Sequence, residues 1–525
     1  MAGMRKLDDW TPLPAERKLA EEMATGLSVI IGDGTLPPAG LTEADPRVIR
    51  TSFLRALILS RVEGHPPHEK GVQVAGAYLL GDGPPGAATP GLDLEGCDLS
   101  ADLALFTCRV PDLLLLRSTS LRNLYLDRSH LGAGLAADGL EVKGGVSLGG
   151  LEAKGEVRLH GAKLGGDLSC TGARLTAGEG GDALSADGLE AKGNVFLRGL
   201  VAQGAVRLRG AKLGGSLACE GARLTAGARG KALNAARMRV AGAFFLRKGA
   251  QVDGVLDLTA AEIGHFSDDP ACWPQRHGDL LLDRCRYGAF TGTGTPVDAA
   301  SRIRWLSLQD ESRWGADFWP QPWEECARVL REMGHGTAAR TILIEKEKRQ
   351  RAARRARLWR DHLYEDAYWH GFWDRVIGAT VRYGRQPLLA FAWLGLFLLL
   401  GAVIFGNAAG YGEINPNDPR ILREAEWADC AAGRALAGGH PHQPACFLAQ
   451  PEAASFPRFN AFVYSADTLI PVVSLEMQSY WIPDETKPRG AFARVYLWLH
   501  IAAGWALTLL AVAGFSGLIR TDNTR

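Results

Sequence analysis

A duplicated, glycine-punctuated block limits this chain more than any other feature. The segment from Gly139 to Asp187 recurs from Gly188 to Ala236, and 33 of the 49 aligned positions are identical. In each copy the glycines fall at even spacing, at 139, 150, 161 and 172 and again at 188, 199, 210 and 221. A fixed period of this kind belongs to a solenoid, in which no unit buries its own apolar face and stacked neighbours bury it together. Each glycine-to-glycine unit carries a short alternating stretch, such as Val157-Arg158-Leu159 or Leu217-Ala218-Cys219. Alternation sends one set of side chains inward and leaves Ser147, Arg158 and Arg207 outside. Glycine supplies the corner conformations, and a helix would lose about 1 kcal/mol at each interior glycine relative to alanine. Two units predict a coil of about 22 residues, and the 49-residue period predicts two coils plus a loop. That loop is TAGEGGDALSAD after Leu175 and TAGARGKALNAA after Leu224.

The units GAKLGGDLSCTGARL and GCDLSADLALFTCRV resemble pentapeptide-repeat proteins, with a frame that slips by one residue after each decapeptide. The resemblance implies a right-handed β-solenoid, a pentapeptide-repeat-like β-helix, here expected over residues 71–296. Cys97, Cys108, Cys170 and Cys219 fall where the pattern wants a small inward residue, which suits buried free thiols. Residues 1–70 predict a helical cap with helices over Ala15–Leu27 and Pro46–Arg61. The second helix places Val48, Phe53, Leu54, Leu57 and Ile58 on one face, suited to covering an open solenoid end. The N-terminal sequence has no apolar core, so no signal peptide is expected and these domains are expected in the cytoplasm.

Two apolar runs change the class of protein. Residues 387–406 carry no charge, and residues 495–519 hold His500 as their one ionisable group. A bilayer core of about 30 Å needs about 20 apolar helical residues, so both runs are expected to span a membrane. Basic residues crowd before the first run, and Arg520 and Arg525 follow the second, whereas Asn407 to Ala493 holds ten acidic and six basic residues. Positive charge stays inside, which predicts cytoplasmic termini at a bacterial inner membrane and an external loop at 407–494. Cys430 and Cys446 in that loop would share an oxidising compartment, where a disulfide is expected.

Residues 297–385 predict a helical hairpin and a basic juxtamembrane helix. Pro322 lies near the first helical position, Gly334-His335-Gly336 forms the turn, and Trp323, Ala327, Leu330, Ala338 and Ile342 form the shared face. The hairpin reads PQPWEECARVLREMGH, and with the repeat before it and the membrane region 386–525 after it the chain resembles a group of bacterial membrane proteins. Those proteins join a pentapeptide-like repeat to the same hairpin, end in two spans, and carry the label membrane-associated oxidoreductase. The resemblance implies an architecture and a membrane address, with no chemistry attached to the label.

Candidate sites follow from local composition. Lys346, Lys348, Arg349, Arg351, Arg354, Arg355, Arg357 and Arg360 crowd eight cations into four helical turns, a contact set for anionic lipid headgroups or a solvated helix face. Trp359, Tyr364, Tyr368, Trp369, Phe372 and Trp373 follow, and fit an interfacial helix or packing within the hairpin. In the loop, Asn460, Ser465, Asp467 and Thr468 sit among apolar residues between the spans, the plan of a pore helix. No selectivity-filter sequence follows Thr468, so a loop helix is the simpler reading, and a channel would need several copies of the chain. His440, His442, Cys430 and Cys446 match no standard zinc spacing, and no metal is expected.

For an enzyme, the residues supply no catalytic constellation. There is no CxxC or HExxH and no GxSxG elbow, since the GxSxG spacing at Gly145-Val146-Ser147-Leu148-Gly149 falls inside a repeat unit that opens no helix, and Gly292-Thr293-Gly294 neither ends a strand nor opens a helix as a dinucleotide turn must. No cofactor is expected. A net charge of +1 and the lack of a recognition motif argue against nucleic acid. The expectation is a membrane-held β-solenoid that binds an as yet unknown protein partner as a scaffold or sensor. The outward cations at 143, 154, 158, 192, 207 and 209 suit an acidic or phosphate-bearing partner. The alternatives are an oligomeric channel gated by the solenoid, and the oxidoreductase of the label.

Overall fold

The computed structural model describes residues 4–82, 91–177, 181–310, 318–383, 386, 388–431 and 439–516. Two compact units divide the chain at Arg354/Arg355.

In the first unit, short parallel strands stack into a β-solenoid of about eight turns, with eight strands on one face and nine on another. Four strands make one coil: Leu135–Ala136, Glu141–Val142, Val146–Ser147 and Glu152–Lys154 turn four corners before Val157–Arg158 returns to pair with Leu135–Ala136. The other two faces merge into one sheet through the long strand Arg239–Leu246, which pairs with both Lys212–Leu213 and Leu217–Ala218. Pairing explains the long period of the sequence repeat. Leu124 lies beside Val146 and Val146 beside Leu168, two equal steps along the chain, whereas the next step, from Leu168 to Val195, is longer by five. One short coil and one coil with a five-residue insertion make up each duplicated block.

The evenly spaced glycines occupy left-handed corners, with φ of +66° at Gly139 and +61° at Gly161. Ser118 and Arg237 hold the corresponding corner at φ of +51° and +60°, so this corner favours glycine without requiring it. Inside, side chains stack coil on coil, as in the fully buried column Leu126, Leu148, Cys170, Leu197, Cys219 and Leu246. Each such aliphatic side chain contributes about 1.5–3 kcal/mol by leaving water. Cys108, Cys170 and Cys219 are buried, whereas Cys97 is half-buried.

Both open ends are covered. At the N-terminal end, helices α1 (Pro14–Glu22) and α2 (Thr51–Ile58) bury Leu19, Phe53, Leu54 and Leu57. The expected second helix begins later than the sequence pattern suggested. Val48–Arg50 is a strand paired with Tyr78–Leu80, and Val29–Ile30 pairs with the strand Gly71–Ala75. The β-branched residues before α2 join the sheet because an open parallel edge is there to pair with them.

At the other end the last strand, Arg286–Phe290, is followed by helices α3 (Ala299–Leu306), α4 (Gln321–Glu332) and α5 (Gly336–Arg360). Side chains of α4 take the place of a further strand. Gln321 Oε1 accepts from the Arg284 N–H at 2.8 Å, Glu325 Oε1 accepts from the Tyr287 N–H, and Arg328 donates to the Tyr287 carbonyl at 2.7 Å. Trp323, Ala327, Leu330 and Ile342 are buried as the hairpin pattern predicts, with Gly334 at φ of +87° in the turn.

The second unit takes in the last turns of α5 and contains helix α6 (Tyr364–Val381), α7 (Leu388–Gly410), short helices α8 (Ala425–Asp429) and α9 (Gln443–Phe447), α10 (Ala461–Leu469), α11 (Met477–Tyr480) and α12 (Pro488–Phe515). Among the described residues, α7 and α12 are long and apolar enough to cross a membrane. Residues 517–519 of the expected second span, and Arg520 and Arg525, lie outside the described residues. The far ends of α7 and α12 are tied by the pairing of Ile414–Pro416 with Trp481–Pro483 and by buried Glu413, which accepts from the Gly490 N–H at 2.7 Å.

Candidate functional site

One face of the solenoid carries a groove of 1670 Å³ that runs from Asp98 to Arg328. Its strands share a three-residue pattern. The first position points out and forms a charged ladder, in which Glu141 lies beside Lys163, Lys163 beside Glu190, Glu190 beside Lys212 and Arg239 beside Glu262. Neighbours pair along it: Lys163 Nζ to Glu141 at 2.8 Å, Lys212 Nζ to Glu190 at 2.7 Å, and Arg239 Nε to Glu262 at 3.2 Å. The hydrogen bond from Lys212 holds Glu190 below the usual carboxylate range. The second position (Val142, Leu164, Ala191, Leu213) is buried.

The third position makes the site. It alternates Lys143, Gly165, Lys192 and Gly214, and leads into Gly144, Gly166, Gly193, Gly215 and Gly242. Those five glycines are joined coil to coil by backbone hydrogen bonds of 2.7–3.1 Å, from Gly166 N–H to the Gly144 carbonyl and onward to Gly242. The ladder has no space for side chains: a Cβ on Gly165 would lie 1.9 Å from the Lys143 carbonyl oxygen, and one on Gly214 2.3 Å from that of Lys192. Among the residues lining the groove, Gly165, Gly214, Gly264 and Gly288 therefore present bare backbone between Lys143, Lys192 and Ala241. Its lining holds seven cations and five carboxylates. Lys143 and Lys192 are exposed, and among the described residues neither joins an ion pair. They stand two coils apart, about 10 Å at the usual strand spacing.

Sequence reading placed six cations outside, and the fold separates them. Lys143 and Lys192 share the groove. Arg158 pairs with Asp138, and Arg207 with Asp182 at 2.8 Å and with Asp187, on another face. Lys154 lies on a third face, in the strand Glu152–Lys154. The doublets Gly144-Gly145, Gly165-Gly166 and Gly214-Gly215 were the available signal for this bare backbone, because two adjacent glycines exceed what one corner needs.

The basic cluster divides as well. Lys346 cannot reach a headgroup, which corrects that expectation: its side chain is buried beneath the hairpin, 3.0 Å from Glu324 and 3.3 Å from Glu347. Arg349 pairs with Glu345 at 3.2 Å and covers the Trp323 ring, Lys348 reaches Glu345 at 3.6 Å, and Arg351 reaches Glu347 at 3.6 Å. Arg355 pairs with Asp374, and Arg357 lies 3.8 Å from Asp361. Arg354 and Arg360 are exposed.

In the second unit, α10 packs against α7 and α12. Asn460 caps α10 by accepting from the Phe462 and Val463 N–H groups, and Asp467 accepts from Leu475 and Gln478 N–H at 2.6 and 2.8 Å. Both carboxyl and amide oxygens are thus engaged with backbone. Thr468 is buried and donates to the Tyr464 carbonyl. Ser465 donates to the Leu398 carbonyl of α7 at 2.9 Å and lies 3.2 Å from His500 Nε2 of α12, whose Nδ1 lies 3.1 Å from the Tyr496 hydroxyl. This buried chain links three helices at Gly401, where a Cβ would lie 2.3 Å from Ser465 Oγ.

Cys430 and Cys446 form a disulfide. His442 Nδ1 accepts from the Ala445 N–H to cap α9, and burial, with Lys487 nearby, lowers its pKa. With the two thiols joined and His442 capping a helix, the four residues do not form a ligand set. No family model matches the chain, and no curated protein or solved structure matches it.

Proposed function

We propose that the chain is a membrane-anchored binding module whose solenoid groove takes an acidic or phosphate-bearing partner as a scaffold or sensor. The supporting observation is the pair Lys143 and Lys192, uncompensated cations that alternate with the bare backbone of Gly165 and Gly214 in a groove whose other charges are largely paired. Helices α7 and α12 anchor it in a bacterial inner membrane, with both termini cytoplasmic and the disulfide loop outside. Four short strands per coil support reading the solenoid as pentapeptide-repeat-like, and we take its hand to be right-handed from that resemblance.

The test uses full-length protein in nanodiscs and fluorescent polyglutamate, read by anisotropy at low and high salt. Two exposed charge contacts are worth roughly 1–2 kcal/mol together, so Lys143→Gln/Lys192→Gln should weaken binding about tenfold. Salt should weaken wild-type binding too. Equal binding by the double variant, or an equal loss in a Lys154→Gln control, would refute the groove. Liposomes holding the protein should pass no ions, because Asp467 is bound to backbone. A flux altered by Asp467→Ala would instead establish the channel.

A further inference from the structure

Among the described residues, helix α6 carries the largest cluster of exposed aromatic side chains. Tyr368, Trp369, Phe372 and Trp373 are between 43% and 68% exposed, and Trp359 and Tyr364 flank them. They touch mainly one another: Trp369 stacks on Phe372 at 6.0 Å, and Trp359 meets Tyr368 edge-on at 5.3 Å. The opposite side of α6 is covered. Ala367 and Gly371 are buried there, and Arg355 from the last turns of α5 pairs with Asp374.

The position of α6 along the spans is fixed at its C-terminal end. Ile377 and Val381 pack with Ala390 in the first turn of α7 and with Leu510 and Ala511 near the end of α12. Trp393 Nε1 donates to the Ala379 carbonyl at 3.0 Å. Both spans thus present the same end to α6, and that end is where apolar helix gives way to water. Arg360, Arg375 and Arg382, in and beside α6, are exposed, and among the described residues none of them joins an ion pair.

We infer that α6 is an interfacial helix that embeds its aromatic face in the headgroup zone of the membrane crossed by α7 and α12. This rests on the reading of those two helices as spans. Three observations favour lipid over a protein partner. The exposed face is continuous with the span ends and not set apart from them. Five of its six aromatics are Trp or Tyr outside a core, with polar edges, the side chains that partition to the water–hydrocarbon boundary. Exposed, unpaired cations at Arg360, Arg375 and Arg382 accompany the helix, as contact with an anionic headgroup layer requires. The basic stretch of α5 contributes little, because its charges are largely taken up by Glu324, Glu345, Glu347, Asp361 and Asp374. Burying half of such an aromatic face removes apolar surface at about 25 cal/mol per Å², the same driving force that holds surface-lying amphipathic helices.

Photo-crosslinking separates this inference from the span reading. Benzoylphenylalanine is placed singly at Tyr368, Phe372, Leu399 or Lys154 of the full-length protein, in vesicles of phosphatidylethanolamine and phosphatidylglycerol. Leu399 lies on the exposed side of α7 and reports the span, and Lys154 reports solvent-facing solenoid. Lipid adducts are expected at 399, 368 and 372, severalfold above the yield at 154. Adducts at 399 with only background at 368 and 372 would overturn the interfacial helix and leave the spans standing. Chain-to-chain adducts at 368 and 372 would also overturn it, by assigning the face to a second copy. No lipid adduct at 399 would remove the span reading and this inference with it.

Discussion

Arg302 and Asp268 meet as a two-pronged ion pair sealed from solvent, with Nη1 2.7 Å from Oδ2 and Nη2 2.8 Å from Oδ1. Trp273 Nε1 donates to the same carboxylate at 2.8 Å, and the Phe290 ring lies 3.5 Å from the guanidinium. The pair fastens α3 to the last coils. Removing one partner strands the other charge, so Arg302→Ala should destabilise the first unit by about 3–5 kcal/mol. Arg302→Met with Asp268→Leu should recover most of that loss, because an apolar pair leaves no buried charge. Urea unfolding followed by tryptophan fluorescence tests both. A double variant as weak as Arg302→Ala would show that the pair contributes more than mutual neutralisation.

Two glycines at opposite ends of one short strand should behave differently. Gly161 sits at a left-handed corner with open space around its Cα, and its counterparts in the stack include Arg237. Gly161→Asn should therefore cost about 1 kcal/mol or less, since asparagine visits this conformation. At Gly165 a Cβ would strike the Lys143 carbonyl, so Gly165→Ala should cost at least about 1–3 kcal/mol, as in an overpacked core. Thermal unfolding of the two variants side by side decides the point, and equal losses would contradict the ladder geometry.

Thiol reactivity should mark out one cysteine. Burial pushes the pKa of Cys108, Cys170, Cys219 and Cys326 up to about 12, and Cys272 and Cys285 are also buried and raised. Cys97 is half-exposed. Iodoacetamide on the native, unreduced protein should add a single mass increment that peptide mapping places on Cys97. Rapid modification of Cys170 or Cys219 would mean that the coils open.

Acid should act through Asp257. Burial alone would raise its pKa, but hydrogen bonds from Lys231 and Thr259 outweigh burial and hold it below its ordinary 3.8. Its contribution to stability is thus present above about that pH and is lost as pH falls through the folded value. In Lys231→Met the balance reverses, because burial then dominates and the charged carboxylate becomes the costly form. The variant should be weaker than wild type at neutral pH and recover part of the difference on acidification. Unfolding midpoints from pH 7 downward would show this, and parallel curves for the two proteins would exclude it.

The sequence pattern carried the coil, the corners and the hairpin, because each is written in residues close together in the chain. Gly139 to Gly172 mark corners by spacing alone, and Pro322 and Gly334 bracket α4 by local rules. The groove was legible only in part. Lys143 and Lys192 read as outward, but their isolation from carboxylates depends on Lys163 and Lys212 having taken Glu141 and Glu190 from neighbouring coils. Pairings across the fold, such as Ser465 on α10 with His500 on α12, leave no local trace. The strand at Val48–Arg50 was missed for the same reason, since its helical spacing is overridden by the distant partner strand Tyr78–Leu80.

The alternation of short and long coils also sets how a molecule of this design can lengthen. Duplicating one coil would place Glu beside Glu or Lys beside Lys on the ladder face and would separate the insertion from its neighbour. Duplicating the whole two-coil block returns Glu141 and Lys163 as Glu190 and Lys212, with corner, glycine ladder and charge in phase. Within the duplicated block, reach along the groove therefore grows in steps of two coils or about 10 Å, and the alternation ends where Lys212 lies beside Arg239. A longer or shorter relative of the same design should differ from this chain by whole steps, so that its groove measures its partner in a fixed unit of length.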